Sequence, residues 1–188
     1  MDDASIKAAM NWWRAISQPI DQLKTKGLYP APSAYKATIK RCDSLDGIML
    51  TEGFRSLWLS LPDDIIKSDK KSVIECWALI AGVLVYVKDG KSETIAKSAG
   101  TKKDGSDKSI VSELRFSQLQ SAKTAEDFYR RLRRILQQLD GKVSPETLID
   151  DIDTWFCEQD DVYPRKPENR LAVQWAMDYY RAAAQKSK

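Results

Sequence analysis

The stretch Val73–Val87, VIECWALIAGVLVYV, is the most hydrophobic part of the sequence and decides its fold class. Its apolar residues surround a helix almost completely, which is typical of a helix buried on all sides. It is shorter than the roughly 20 residues that a membrane-spanning helix needs, and it contains Glu75. Its β-branched residues would also permit a strand, but its length favours a helix. We therefore predict a central helix over about residues 70–88.

Three helices are predicted before this central helix, because apolar residues recur at helical spacing in each. The first occupies the first sixteen residues, the second runs from Ser33, as its N-cap, to about Cys42, and the third runs from Glu52 to Leu61. No strand or hairpin pattern occurs. The sequence therefore predicts an all-α protein.

A polar stretch follows the central helix, over residues 89–109. Its Gly, Ser, Lys and Asp content predicts a mobile loop that acts as a hinge, with room for a short helix over residues 93–98. We predict two small helical bundles joined by this basic polar loop. The expected limits are 1–90 for the N-terminal bundle, 91–108 for a basic flexible linker and 109–188 for the C-terminal bundle.

Four helices are predicted in the C-terminal bundle, over about residues 110–120, 124–139, 144–158 and 168–184. Thr124 and Ser144 are suitable N-caps, and Pro145 occupies the first helical position, where proline is favoured.

The charge of the chain is segregated along the sequence. The net charge of +3 does not by itself indicate nucleic acid, but residues 108–142 contain eight basic and four acidic residues, whereas residues 144–168 contain two basic and eight acidic ones. Such segregation indicates separate surfaces for separate partners.

The residue types exclude several functional classes. Histidine is absent, which excludes Ser-His and Cys-His catalysis and His-bearing zinc sites. No phosphate-cradling glycine loop, dinucleotide fingerprint or nucleophile elbow occurs. We interpret the carboxylates of residues 150–161 as a solvated acidic face and not as a magnesium site. These absences exclude enzymes that depend on histidine, a P-loop or a dinucleotide fingerprint, and no cofactor or metal is predicted.

The cysteines and the N-terminal residues of the chain indicate where in the cell the protein is expected. Cys42, Cys76 and Cys157 are scattered, so we predict reduced thiols within the core, which fits the cytoplasm. Met1 is followed by two aspartates and not by a basic segment and an apolar run, so no signal peptide is predicted. The expected localisation is cytoplasmic, without membrane contact.

The predicted helix over residues 124–139 has the clearest candidate site. Phe128, Leu132, Ile135, Leu136 and Leu139 form one apolar stripe at 100° per residue, and the opposite face carries Arg130, Arg133 and Arg134, with Lys123 just upstream. Arginine grips phosphate bidentately, so this face suits nucleic-acid backbone. The alternative is an ordinary solvated charged face.

Two other basic groups are candidates. Helical projection puts Arg115 on the apolar side, between Val111 and Leu119, where it would pair with an acid such as Asp150 or Asp153 or contact nucleic acid. Lys40 and Arg41 belong to a weaker basic face.

Six short motifs occur in a fixed order over most of the chain. They are residues 11–16 (NWWRAI), 35–42 (YKATIKRC), 78–82 (ALIAG), 112–116 (SELRF), 132–134 (LRR) and 175–180 (WAMDYY). Their order and spacing together resemble the CasB family, the small subunit of the type I-E Cascade complex of CRISPR systems.

The resemblance implies a non-catalytic subunit with two helical lobes that binds nucleic-acid backbone and stabilises the R-loop in antiviral defence. The implied partners are the crRNA, both strands of the target DNA, a second copy of the chain, and the Cascade backbone and large subunits. The residues that match the basic positions are Lys40, Arg41, Arg115, Lys123, Arg130, Arg133 and Arg134.

The sequence leaves two other functions open. A helical protein-interaction module outside CRISPR would use the acidic and basic faces for protein partners and would not bind nucleic acid. An enzyme would need Lys, Tyr or carboxylate chemistry gathered in one concave pocket, without histidine.

Overall fold

The computed structural model describes residues 1–88 and 93–185, and the described chain is all-α, as predicted. Its contacts divide the chain into two compact units, unit 1 (Met1–Tyr86) and unit 2 (Val87–Lys188). Within the described residues, no helix is long and apolar enough to cross a membrane.

Unit 1 contains the four predicted helices and three short ones that the sequence did not indicate. The predicted helices start and end within a few residues of their expected limits, and the others occupy short connections. In chain order they are α1 (Asp3–Ser17), α2 (Ile20–Lys24), α3 (Ser33–Arg41), α4 (Leu45–Met49), α5 (Glu52–Trp58), α6 (Asp63–Ile66) and α7 (Lys71–Leu84).

The core of unit 1 forms around α7, which is buried from Cys76 to Leu84 and packs against α3, α4 and α5. The prediction of a central apolar helix is therefore confirmed. Helix α5 also contacts α1, and the Trp12 indole Nε1 donates a hydrogen bond of 3.1 Å to the carbonyl oxygen of Gly53. A Cβ at Gly53 would lie 2.8 Å from Ile39 Cδ1, so glycine permits the close approach of α3 and α5.

Unit 2 contains five α-helices and one 3-10 turn among its described residues. The predicted caps are confirmed, because the hydroxyls of Thr124 and Ser144 accept from the backbone N–H groups of Asp127 and Thr147. The elements are α8 (Ile95–Gly100), α9 (Glu113–Gln120), α10 (Ala125–Gln138), α11 (Pro145–Asp160), the 3-10 turn Pro167–Asn169 and α12 (Leu171–Ala184).

An aromatic cluster forms the centre of unit 2. Phe128 on α10 stacks on Trp155 of α11, with ring centroids 4.5 Å apart, and Phe116 on α9 stacks on Tyr179 of α12 at 4.9 Å. Trp175, also on α12, lies 5.9 Å from Phe116 and 6.1 Å from Phe128. These ring contacts fix α9, α10, α11 and α12 against one another.

Helix α8 lies inside the segment predicted as a linker, and Ile95, Ala96 and Ala99 are buried. It packs closely on α12, because a Cβ at Gly100 would lie 2.2 Å from the carbonyl oxygen of Tyr179. Residues 89–92, which begin the predicted loop, lie outside the described residues. The limits 1–90, 91–108 and 109–188 remain a prediction.

Two local expectations were wrong. Ser33 does not cap α3, because it lies inside the helix and the N-cap position is Pro32, which makes no side-chain cap hydrogen bond. Of the cysteines predicted as core thiols, Cys76 is buried, Cys42 is partly buried and Cys157 is exposed. Cys157 lies in the last turn of α11, where Gln159 and Asp160 are also exposed.

Candidate nucleic-acid interface

A concave groove with a volume of about 510 Å³ lies between α9 and α10 of unit 2. Its lining contains Ile135 and six side chains that donate hydrogen bonds, three with guanidinium groups and three with amides. They belong to Arg115, Arg131, Arg134, Gln118, Gln137 and Gln138. We call this the arginine groove. Such a set of donors suits an anionic ligand that offers several acceptor oxygens.

Helix α10 positions one wall of the arginine groove through its strong amphipathicity. Phe128, Leu132, Ile135, Leu136 and Leu139 are all buried, so the predicted apolar stripe is confirmed. Burial of this stripe turns the opposite side of the helix outward: Arg130 and Arg134 are exposed and Arg133 is partly buried.

The predicted arginines on α10 differ in their surroundings. Arg130 Nε lies 4.0 Å from Glu126 Oε2, one helical turn earlier, which partly balances its charge. Arg134 is exposed and lines the arginine groove, and its side chain makes no hydrogen bond or ion pair within residues 1–88 and 93–185. Arg134 is therefore the α10 arginine that is most available to an anionic ligand.

The position of Arg115 differs from the predicted one. The sequence placed it on the apolar side of a helix that included Val111, but α9 begins at Glu113 and Val111 precedes the N-cap Ser112. The projection was therefore wrong, and Arg115 is exposed. Of the two alternatives for Arg115, the ion pair with Asp150 or Asp153 is not formed, and the side chain has no partner among the described residues.

Arg131 belongs to the arginine groove but was not among the sequence-predicted site residues. Its Nε donates to Asp127 Oδ1 at 2.7 Å, and its Nη1 donates to the carbonyl oxygen of Gln118 and lies 3.4 Å from Ser121 Oγ. Arg131 thus joins α10 to the end of α9. The available signal was the spacing of Asp127 and Arg131, an acid four residues before a base on one helix.

The remaining predicted basic residues lie in different places. Lys123 is exposed in the turn between α9 and α10. Lys40 and Arg41 belong to unit 1: Lys40 Nζ lies 5.2 Å from the centroid of the Tyr86 ring, and Arg41 is exposed at the end of α3. Of the seven predicted residues, Arg115 and Arg134 line the arginine groove.

The acidic residues of α11 form a different environment. Burial raises the pKa of Asp151 to about 7, although the Trp175 indole donates a hydrogen bond of 2.9 Å to its Oδ2. Burial also raises the pKa of Asp150. The part of the chain that the structure describes contains no cluster of Cys, Asp or Glu able to hold a metal ion.

Comparisons with known proteins identify the family. The searches of curated proteins and of solved structures gave no significant match. The family described as CRISPR-associated protein Cse2 matches residues 35–180, which include the helices of both walls of the arginine groove. Because this match covers most of the 188 residues, the chain belongs to the Cse2 family, also called CasB, the small subunit of type I-E CRISPR Cascade.

Proposed function

We propose that this Cascade small subunit binds nucleic-acid backbone through the arginine groove and thereby stabilises the R-loop in antiviral defence. The bound nucleic acids would be the crRNA and both strands of the target DNA. The assembly partners would be a second copy of the chain and the Cascade backbone and large subunits. Lys123, Arg130 and Arg133 would extend the groove's positive surface in unit 2, and Lys40 and Arg41 would contribute a separate contact from unit 1.

One observation carries this proposal. Arg115 on α9 and Arg134 on α10 line the same groove, both are exposed, and neither side chain has an acidic partner among the described residues. Elsewhere on the described surface, arginines such as Arg165 and Arg181 have carboxylates within 4 Å. Two uncompensated guanidinium groups in one concavity repel each other, and a phosphate between them would relieve that repulsion.

The mechanism needs no catalytic group. Exchange of a DNA duplex for a guide–target heteroduplex is nearly balanced in free energy, so a few backbone contacts can shift it towards the open state. Contacts with phosphates carry no sequence information, which leaves the reading of the target to base pairing. Binding to phosphates releases the counterions that the nucleic acid had held. The affinity that these contacts supply therefore falls as the salt concentration rises.

The test is binding of the full chain to fluorescent single-stranded DNA and RNA over a series of salt concentrations. In the variant Arg115→Ala/Arg134→Ala, we expect weaker binding and a flatter plot of log affinity against log salt. For a single strand, each phosphate that the variant no longer neutralises lowers that slope by about 0.7. Fluorescence anisotropy measures both quantities, and circular dichroism checks that the variant is folded.

The matched control is Lys24→Ala/Lys26→Ala, which removes the same charge from two exposed residues of unit 1. The proposal expects this control to retain the salt slope of the original chain. If both double variants weaken binding equally, net charge and not the arginine groove is responsible. If the original chain binds neither DNA nor RNA at low salt, a module that binds protein partners becomes the better interpretation.

A further inference from the structure

A second groove in unit 2 adjoins the arginine groove at Arg115, which lines both. It has a volume of about 440 Å³ and lies beside α9, α12 and the loop that follows α8. Its cations are Lys103, Lys108 and Arg115, and its exposed aromatic side chain is Tyr180. We call it the tyrosine groove.

The cations of the tyrosine groove are available to a ligand. Lys103 and Lys108 are exposed, and the backbone N–H of Lys103 donates to the carbonyl oxygen of Lys108 at 3.0 Å, which holds the two residues side by side. Neither lysine side chain has an acidic partner within the described residues, whereas the neighbouring Lys102 pairs with Asp107 at 3.2 Å. The loop therefore presents two free ammonium groups from adjacent positions.

The ring of Tyr180 is held in place although half of the residue is exposed. Its hydroxyl donates a hydrogen bond to Glu113 Oε1, and its ring lies edge-on to Tyr179 at 5.6 Å. Tyr179 is itself fixed, because its hydroxyl donates to the carbonyl oxygen of Val111 at 2.7 Å and its ring stacks on Phe116. A ring restrained in this way loses little conformational entropy when a ligand stacks on it.

Glu113 is the acidic side chain of this groove, and it opposes phosphate binding. Its carboxylate is one negative charge against the three cations of the groove, and it accepts the hydrogen bond that orients Tyr180. The groove therefore remains net positive beside an ordered aromatic ring. Cations that follow a backbone and aromatic rings that accept bases are the two components of single-strand binding surfaces.

We propose that the tyrosine groove binds an unpaired nucleotide of a single strand, with the base stacked on Tyr180 and the phosphates against Lys103, Lys108 and Arg115. This inference rests on the proposed function and adds to it a place where the bases themselves are contacted. A base inside a duplex is stacked on its neighbours and cannot offer its face to Tyr180, so the ligand is single-stranded. Through Arg115, the strand continues into the arginine groove.

The experiment compares two single-stranded probes of equal length with the full chain: an oligothymidylate and an abasic oligonucleotide with the same phosphates but no bases. Tyr180→Ala should weaken binding of oligothymidylate by roughly five- to a hundredfold and leave the abasic probe nearly unaffected. Lys103→Ala/Lys108→Ala should weaken binding of both probes and flatten the salt dependence. Tyr180→Phe retains the aromatic ring, so this variant should keep most of the preference for the probe with bases.

Two further variants sharpen the test. Tyr163→Ala removes a tyrosine that is 83% exposed elsewhere in unit 2, and it should leave the preference for bases intact. Glu113→Gln removes the opposing charge but retains an oxygen that can accept from Tyr180, so both probes should bind more tightly. A thermal melt of each variant checks the fold.

The possible results separate this inference from the proposed function. If Arg115→Ala/Arg134→Ala weakens binding but Tyr180→Ala affects both probes equally, or neither, the proposed function stands and the tyrosine groove is not a base-binding site. If the original chain binds neither probe, both proposals fail. A loss confined to oligothymidylate in Tyr180→Ala, restored in Tyr180→Phe, supports the inference.

Discussion

The carboxyl group of Asp151 on α11 lies where a negative charge is unfavourable. It is partly buried beside Trp175, and burial raises its pKa from 3.8 to about 7, with smaller contributions from Asp150 and Asp178. The folded state therefore retains a proton at pH values where the unfolded chain has lost it. The free energy of unfolding should fall as the pH rises from about 4 to about 7 and then remain at the lower value.

The variant Asp151→Asn should remove this pH dependence. Its amide oxygen can still accept the hydrogen bond from Trp175 Nε1, but it carries no charge. At pH 8 we expect the variant to be more stable by on the order of 2 kcal/mol, with little difference at pH 4, because one pKa unit corresponds to about 1.4 kcal/mol and residual exposure reduces the full value. Urea unfolding at both pH values measures this.

Asp151→Ala is the control for the hydrogen bond. It removes the charge but also the acceptor, so the indole N–H of Trp175 is left without its partner and part of the gain is lost. A gain for Asp151→Asn that is the same at pH 4 and pH 8 would show that the carboxyl does not titrate in this range.

At the scale of elements, the arginine groove depends on how α9 is held against α10. Arg131 makes this connection, since one guanidinium group reaches Asp127 on its own helix and both Gln118 and Ser121 at the end of α9. The groove's other arginines, Arg115 and Arg134, lie on the two helices that Arg131 joins. Their separation is therefore set by a residue that is itself part of the groove.

Arg131→Lys tests this connection. Lysine keeps the positive charge but lacks the planar fork that reaches several acceptors at once. We expect faster amide hydrogen exchange in residues 113–120, with a loss of local stability of about 1 to 2 kcal/mol. The rate of amide hydrogen exchange in α11 should change little. Uniform acceleration throughout unit 2 would mean that Arg131 supports the whole unit and not the docking of α9.

On the scale of the whole molecule, the contacts divide the chain into two units, each with its own buried residues. Each unit also contains a glycine at a close approach between helices, Gly53 in unit 1 and Gly100 in unit 2. A methyl group at either glycine must displace its neighbours, because the added Cβ would lie within 3 Å of another atom.

Gly53→Ala and Gly100→Ala form a matched pair of variants. Each should destabilise its own unit by about 1 to 3 kcal/mol, as overpacking typically does. Gly100→Ala should be the more severe, since its contact is with backbone and not with the end of a side chain. Backbone amides should lose their protection from hydrogen exchange in the unit that carries the substitution and keep it in the other unit. Equal losses in both units would indicate that the chain unfolds as one cooperative body.

Much of the fold could be predicted because helical periodicity is a local property of the chain. The apolar run in α7, the stripe of α10 and the N-caps Thr124 and Ser144 all follow from residues that are close in sequence. The arginine face of α10 could be recognised for the same reason, because its residues are also close in sequence. The short helices α2, α4 and α6 were missed because they have four or five residues, too few to display a repeat.

The candidate site could be predicted only in part. Arg115 was misplaced because its direction depends on where α9 begins, and Arg131 was missed because its role depends on Gln118, thirteen residues earlier in the chain. Neither groove is encoded by a single stretch of sequence. Each forms where side chains from separate elements meet, as Lys103, Arg115 and Tyr180 do.

The sequence by itself determined the all-α class, the buried helix at the centre of unit 1, the segregation of charge and the resemblance to the CasB family. These depend on composition, on local periodicity and on the order of motifs, which the chain carries before it folds. Only the tertiary structure decided which arginines share a groove and which are paired with acids. It did so because packing of Phe116, Phe128 and Tyr179, and the close contact at Gly100, set the distances between helices.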